Sequence, residues 1–399
     1  MASSATRTPR QAGAPQHDAV PATGAERPLR VGFHAPMKHP DHPVPSGDRT
    51  IARLLLRALA LAGCEAVLPS RSGSFNATGD AATQQRLEAE ADAEAARILT
   101  EGRGSAPFDL WFTYHSFHKA PDLLGPRITE ALTIPYVVAE GSRAPKQAAG
   151  PWARGHALAG AGLDRADLLL VLNPRDRPAL EAARRPGQRI AGLAPFVDDE
   201  AWPRLGPSRR TKGGAARFLT VAMMRDGDKL ASYAVLAEAL ARVAGEWSLD
   251  VVGDGPARAR VEALFAPMAE RVRFLGRIDG RDALARLYAE ADLLLWPAVN
   301  EAIGMVFPEA ALQGCPAVAG RFGGVPSVVA HETSGLLAEP GDAGSFAAAV
   351  ERLLADRGLL ARLGAGAAER VAARHSIAAA AASLRRELGA LRPARSLAP

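Results

Sequence analysis

Two cysteines in 399 residues rule out a disulfide framework. Cys64 and Cys315 are far apart, each behind a glycine, and fit no metal or redox spacing; reduced thiols in a cytoplasmic protein are the simpler expectation. No run approaches the ~18 apolar residues of a membrane span. The opening segment, MASSATRTPRQAGAPQHDAVPATGAERP, lacks the apolar centre of a signal peptide. Its arginines suit a transit peptide, but Asp18, Glu26 and the prolines do not, and its composition predicts a disordered tail. Aromatic residues make up 5% and nowhere interleave with basic ones, which speaks against a nucleic-acid platform. No G-x-G-x-x-G follows the first apolar run, LRVGFHA, which counts against a nicotinamide-dependent dehydrogenase. No cluster of metal ligands is visible, and no metal or cofactor is expected.

Charge is present but diffuse. The net charge is +5, with short basic clusters at Arg184-Arg185, at Arg209-Arg210 with Lys212, and at Arg385-Arg386. These read as solvated surface, with weak contact at an anionic membrane face as the sharper reading. The expected location is cytoplasmic, with a peripheral place at the inner face of a membrane as the alternative.

Apolar residues make up 48% of the chain, and its length suggests two cores. LRVGFHA, EAVLPS, FDLWFTYH, IPYVVAE and DLLLVLN read as strands. Helical periodicity separates several of them, in GDRTIARLLLRALALAG, over 84–99 and in PDLLGPRITEAL, with Ser46 to Asp48 as a cap. The Gly/Ala-rich stretch 148–162 reads as a loop. A Pro/Gly/Arg-rich segment follows. A second alternation then runs through FLTVAM, LDVVGDG, VRFLGR, DLLLWPA, PAVAG and SGLLAEP. Strands alternating with helices predict parallel sheets. The fold class is therefore α/β, two doubly wound Rossmann-like domains facing across a cleft. The expected boundaries are a tail at 1–28, domains at 29–196 and 217–375, a linker at 197–216, and a final helix and tail at 376–399.

The richest stretch is NEAIGMVFPEAALQGCPAVAG. It follows a strand, so its first residues should lie at a ligand-binding edge. A helix is predicted from Val306 to Gln313, with Pro308 tolerated in its first turn. Gly314 and Pro316 should end it. Amides near Gly304 and Met305 would favour an anion. Glu309 could accept two hydrogen bonds from the vicinal hydroxyls of a ribose, and Glu301 would reach another part of the same ligand. Taken singly, each acid reads equally well as a dipole-favouring or solvated glutamate.

In combination, E-A-I-G-M-V-F-P-E-A-A-L-Q-G-C-P-A-V-A-G, G-G-V-P (323–326) and T-S-G-L-L-A-E-P-G-D (333–342) resemble the core of retaining GT-B glycosyltransferases, of the glycosyl transferases group 1 type. V-V-G-D-G-P, V-R-F-L-G and A-D-L-L-L-W-P precede them in the family's order. The resemblance is strong over 218–342 and loose in the amino half. It implies that Glu309 holds the nucleotide ribose. It further implies that Glu301, Ile303, Gly304, Met305 and Val306 lie against the donor sugar and phosphates, and that Arg225 and Lys229 neutralise the diphosphate. The Arg–Lys spacing is one residue shorter than the family's. Ser327 stands where the family has an acid, and Gly47 stands alone where it has a glycine pair. Gly253 would shape the turn near the base. The amino half would bind the acceptor, with His115 in the cleft, His118 as its competitor, and Glu140 and Arg143 on the cleft edge.

The implied activity is transfer of a sugar from a nucleotide-sugar donor to an acceptor hydroxyl with retention. The expected acceptor is a carbohydrate or a lipid-linked molecule of the cell envelope. The rivals are a sugar-nucleotide epimerase of the same architecture and a non-catalytic nucleotide-sugar binder.

Overall fold

The computed structural model describes residues 27–44, 46–101, 107–207 and 214–391. Most of the expected tail, the Arg209-Arg210-Lys212 cluster, part of the expected linker and residues 392–399 lie outside the described residues.

The amino half runs β1 (Leu29–His34), α1 (Gly47–Leu61), β2 (Cys64–Val67), α2 (Ala81–Glu101), β3 (Leu110–Ser116), α3 (Gly125–Leu132), β4 (Tyr136–Gly141), α4 (Ala153–Arg165), β5 (Leu168–Val171), α5 (Arg177–Ala182) and β6 (Arg189–Gly192). Its strands form a six-stranded sheet in the order β2-β1-β3-β4-β5-β6, parallel throughout. The second half runs β7 (Ala216–Val221), α6 (Asp228–Leu240), β8 (Trp247–Val252), α7 (Arg258–Phe265), β9 (Val272–Gly276), α8 (Arg281–Glu290), β10 (Leu293–Trp296), α9 (Val306–Leu312), β11 (Ala317–Gly320), α10 (Val325–Val328), β12 (Gly335–Ala338), α11 (Ala343–Ala355), α12 (Arg357–Arg374) and α13 (Ile377–Gly389). Its sheet has the order β12-β11-β10-β7-β8-β9 and is also parallel.

A parallel sheet is covered on both faces, so its strands need not alternate polar and apolar residues. LLLV in β5 and LLLW in β10 are buried at every position. Helix starts follow local chemistry: Ser46 Oγ accepts from the Arg49 amide at 3.2 Å ahead of α1, and Asp342 Oδ1 accepts from the Ser345 amide at 3.0 Å ahead of α11.

One expectation is corrected. The stretch 148–162 is not a loop throughout, because α4 begins at Ala153. Ala159 and Leu163 bury one side of it. Gly155 lets it approach the loop after β3 closely, since a Cβ there would lie 2.2 Å from the His118 carbonyl oxygen. Small residues that look like a breaker in sequence are thus a packing surface. Helices α5 and α12 and strand β6 also had no counterpart in the periodicity reading.

Strand order reverses between β1 and β3 in one sheet and between β7 and β10 in the other. Loops leaving neighbouring strands at such a point diverge and open a crevice at the carboxyl edge. The chain returns at its end to the first half. Helix α13 packs on α1, and Arg385 donates to the Leu61 and Ala62 carbonyls at 2.6 and 3.2 Å, satisfying the end of α1. Arg385 is therefore a capping residue rather than free solvated charge. Two further members of the described basic clusters are also paired: Arg185 with Asp164 at 2.5 Å and Arg386 with Glu387 at 3.0 Å. No helix among the described residues is long and apolar enough to cross a membrane.

Candidate functional site

The two reversal points carry two clusters of side chains. At the second, β10 ends at Trp296 and the chain turns through Pro297 to Met305 before α9. Ala298 and Asn300 take left-handed φ values of 54° and 53°. Two anchors hold this turn: the Val299 amide donates to Ser232 Oγ at 2.9 Å, and the Asn300 side chain donates to Asp228 Oδ2 at 2.8 Å. Glu301 is ion-paired with Lys229 of α6 and accepts from Trp296 Nε1 at 3.3 Å. Lys229 Nζ also lies 5.2 Å from the Trp296 ring centroid.

The Gly323-Gly324 pair braces the same loop. The Gly324 amide donates to the Ala302 carbonyl at 2.7 Å. A Cβ on Gly323 would meet the Glu301 oxygen at 2.0 Å, and one on Gly324 the Ala302 oxygen at 2.3 Å. These glycines are required for backbone to lie on backbone beneath Glu301. Ser327, in place of the acid expected after this pair, donates from Oγ to the Gly324 carbonyl at 2.5 Å and so supports the turn locally.

Glu309 occupies the first turn of α9. It is half-buried and accepts from the Tyr288 hydroxyl at 3.1 Å. Burial pushes its carboxyl up to about 7, against the pull of the Tyr288 bond and the Arg281 charge. Gly304, with φ 75°, Met305 and Val306 lie between the two acids and are partly exposed. Ile303 is 5% exposed, so its side chain belongs to the core. Arg225 is exposed, and its side chain has no hydrogen bond or ion pair among the described residues. The structure thus brings Glu301, Lys229 and Trp296 into contact and leaves Arg225 free nearby, four positions before Lys229 in the loop ahead of α6. Gly253, with φ 146°, has a structural explanation: a Cβ there would lie 1.8 Å from the Ala222 carbonyl oxygen, where the turns after β7 and β8 cross.

At the first reversal point, His115 lies at the end of β3 with φ 61°, and Glu140 at the end of β4 with φ 57°. His115 Nδ1 is 2.9 Å from Asp48 Oδ1 in the first turn of α1, and its ring stacks on Phe117 with centroids 4.8 Å apart. Burial opposes protonation of His115, but the Asp48 bond and the charges of Glu140, Asp48 and Asp176 outweigh it, so the imidazole is held above its ordinary range. Asp48 is held below its usual range by the His115 hydrogen bond, against burial. Burial pushes Glu140 up, against His115 and the Tyr114 phenol, with Asp48 and Asp176 adding to the rise. Burial also raises Asp176, although Ser142 Oγ donates to it at 2.6 Å. Gly47 opens α1 beside Asp48 with open space at its Cβ position.

The expected competitor and one edge residue point elsewhere. His118 packs edge-on against Phe117 and Trp152, away from the acids. Arg143 pairs with Asp164 rather than with the cluster. No group of three or more His, Cys, Asp and Glu side chains among the described residues is arranged to hold a metal ion.

Sequence reasoning missed Asp48 as a partner of His115, along with Asp176, Ser142, Trp296 and Tyr288. Asp48 had registered only as part of a cap. Asp176 and Trp296 carried a usable signal, since both sit at or just past the carboxyl end of a strand. Tyr288 reaches Glu309 from a neighbouring helix and had none.

Residues 215–356 match the family model for glycosyl transferases group 1. Among curated relatives, the sulfoquinovosyl transferase SQD2 of Arabidopsis thaliana is 36% identical over 109 residues, 27% of this chain and 21% of that protein. The 2-deoxystreptamine glucosyltransferase of Streptomyces kanamyceticus is 36% identical over 156 residues, 38% of this chain and 40% of that protein. The chain thus spans between a fifth and two fifths of the length of these relatives. The Anabaena protein HepE, solved in complex with UDP, superposes with a TM-score of 0.69 at 16% identity, covering 91% of this chain and 100% of that one. That likeness establishes the two-domain GT-B fold.

Proposed function

We propose that this chain is a glycosyltransferase that moves a sugar from a nucleoside diphosphate sugar to an acceptor hydroxyl with retention of configuration. The observation that carries this reading is the pair Glu301 and Glu309, eight positions apart, flanking the partly exposed Gly304–Val306 segment at the reversal point of the second sheet. The matched family segment contains both acids, and the superposable HepE structure contains UDP.

On this reading Glu309 accepts hydrogen bonds from the ribose hydroxyls. Lys229, already beside Glu301, and the free Arg225 balance the diphosphate as charge builds on it. Glu301 holds sugar hydroxyls. The bond from the anomeric carbon to the departing phosphate breaks, and the bond to the acceptor oxygen forms on the same face. The acceptor proton passes to the departing phosphate. The protein's part is to orient both partners and stabilise charge. His115 and its acids, on the first sheet, face the acceptor side.

The test is to incubate the protein with a panel of nucleotide sugars, UDP-sugars first, and candidate acceptors. Mass spectrometry should find a glycosylated product, and proton NMR of that product should show the donor's anomeric configuration. Donor binding with neither transfer nor hydrolysis would refute the enzymatic reading, and an inverted product would refute retention.

A further inference from the structure

A glutamate side chain is flexible, and ordering it on binding costs rotamer entropy. Accepting from two vicinal hydroxyls at once requires its carboxylate in one orientation. The first turn of α9 fixes the Glu309 backbone but not its carboxylate. A neighbouring helix supplies the second point of support. Tyr288, from α8, is fully buried, and its hydroxyl donates to Glu309 Oε2 at 3.1 Å. The ring itself is clamped. Ala285, Tyr288 and Ala289 form the buried face of α8, and Trp202, from the segment joining the two halves, lies against Tyr288 with ring centroids 6.2 Å apart. A close-packed ring keeps one rotamer, so the phenol aims a fixed donor at one carboxylate oxygen. Glu309 Oε1 accepts no hydrogen bond among the described residues, and the side chain is half-buried rather than sealed.

We propose that Tyr288 is the positioning residue of the ribose site, holding one oxygen of Glu309 so that the carboxylate meets both ribose hydroxyls already oriented. The inference rests on the reading of the chain as a nucleotide-sugar glycosyltransferase and adds the residue that sets its nucleotide contact. A neutral donor suits this task. A lysine or arginine in its place would form an ion pair with Glu309 and compete with the ribose for the same lone pairs. A phenol occupies one lone pair and leaves the others to the ligand.

The experiment is calorimetric titration of the whole chain and its Tyr288→Phe variant at pH 8. The ligands are UDP, GDP and ADP, and the 2′,3′-dideoxy form of whichever the wild type binds. The substitution removes one oxygen and keeps the ring. Affinity for the ribonucleotide should fall about tenfold, and affinity for the dideoxy form less than about twofold. On a Glu309→Ala background the same substitution should add almost no further loss. If Glu309 merely satisfies a buried phenol, the ribonucleotide loses no affinity, and the proposal is overturned. Equal losses for both nucleotides, or a full second loss on the Glu309→Ala background, also overturn it. Carbon-13 NMR titration of Glu309, assigned by its absence in Glu309→Gln, needs no nucleotide. The Tyr288 bond favours the charged carboxylate, so Tyr288→Phe should raise the titration midpoint; an unmoved midpoint overturns the proposal. A wild type that binds none of the three nucleotides sinks the donor reading, while a raised midpoint in that same protein leaves the hold of Tyr288 on Glu309 standing.

Discussion

Replacing Glu309 by glutamine should weaken nucleotide binding and strengthen the fold, with opposite signs at the same pH. Burial holds the Glu309 carboxyl at about 7, above the ordinary glutamate value of about 4.3. Between those values the folded protein binds a proton that the unfolded chain has released, so stability falls as pH rises through this window. The full penalty is present above about 7. A shift of that size corresponds to roughly 3.5 kcal/mol; because the side chain is only half-buried, about 1–2 kcal/mol is the expected gain for Glu309→Gln at pH 8. It should fade towards pH 4.5. Nucleotide affinity should move the other way. The ionised carboxylate accepts hydrogen bonds from two ribose hydroxyls, and losing that charge should cost about 1–3 kcal/mol at pH 8. At pH 6 only about a tenth of Glu309 is ionised, so the wild-type to variant affinity ratio should fall by up to about tenfold from its value at pH 8. The terminal phosphate of UDP titrates near there too, so the informative quantity is the wild-type to variant ratio, in which that contribution cancels. Denaturant unfolding and calorimetry at pH 6 and 8 supply all four numbers. A pH-independent affinity ratio near one would remove Glu309 from the nucleotide site. A variant no more stable than wild type at pH 8 would refute the assignment of a strained, buried carboxyl.

Lys229→Ala should lower turnover about a hundredfold while changing donor affinity less, because the diphosphate charge it balances grows as the bond breaks. Arg225→Ala should do the same without altering unfolding, since its side chain is free and exposed; steady-state kinetics with full rate in both variants would place the cations elsewhere. Asp48→Asn removes the carboxylate bonded to His115 and should lower the His115 pKa, read from the pH dependence of its imidazole NMR resonances; an unmoved midpoint would refute the pairing. Arg385→Ala should cost about 1–2 kcal/mol of stability through the unsatisfied end of α1 and leave UDP affinity untouched, checked by urea denaturation.

The fold was legible because its strands carry continuous apolar runs at regular intervals. Runs such as LLLV and LLLW cannot be solvated on either side, so a parallel sheet under helices is the solution they allow. Glu301 and Glu309 could be singled out because both fall just after such a run, where a parallel sheet binds its ligands. Helix α4 was missed for the converse reason: alanine and glycine give little amphipathic contrast, and their small size is explained by a neighbour 2.2 Å away that the sequence does not show. The His115 cluster was half legible. A histidine past a strand could be named. Its three acids come from positions 48, 140 and 176, which lie after β1, at the end of β4 and after β5, and meet His115 only through the spatial order of the strands.

Backbone conformation ties the two clusters together in a way no sequence pattern does. Six non-glycine residues among the described ones take positive φ: His115, Thr133, Glu140, Ala298, Asn300 and Glu332. Each costs about 1 kcal/mol or more relative to glycine. Four of the six lie at or just past the carboxyl ends of β3, β4 and β10, at or beside the two reversal points. Had these turns served only to reverse the chain, glycine would have relieved the strain, as it does at Gly253 and Gly323. At 115, 140 and 300 the chain keeps a side chain that bonds or charges a neighbour. His115 bonds Asp48, Glu140 acts on His115, and Asn300 bonds Asp228. Ala298 has no such polar role; its methyl is fully buried, and packing is what holds it there. Strain retained where a side chain is used, and relieved by glycine where it is not, is concentrated at the carboxyl edges of the two sheets.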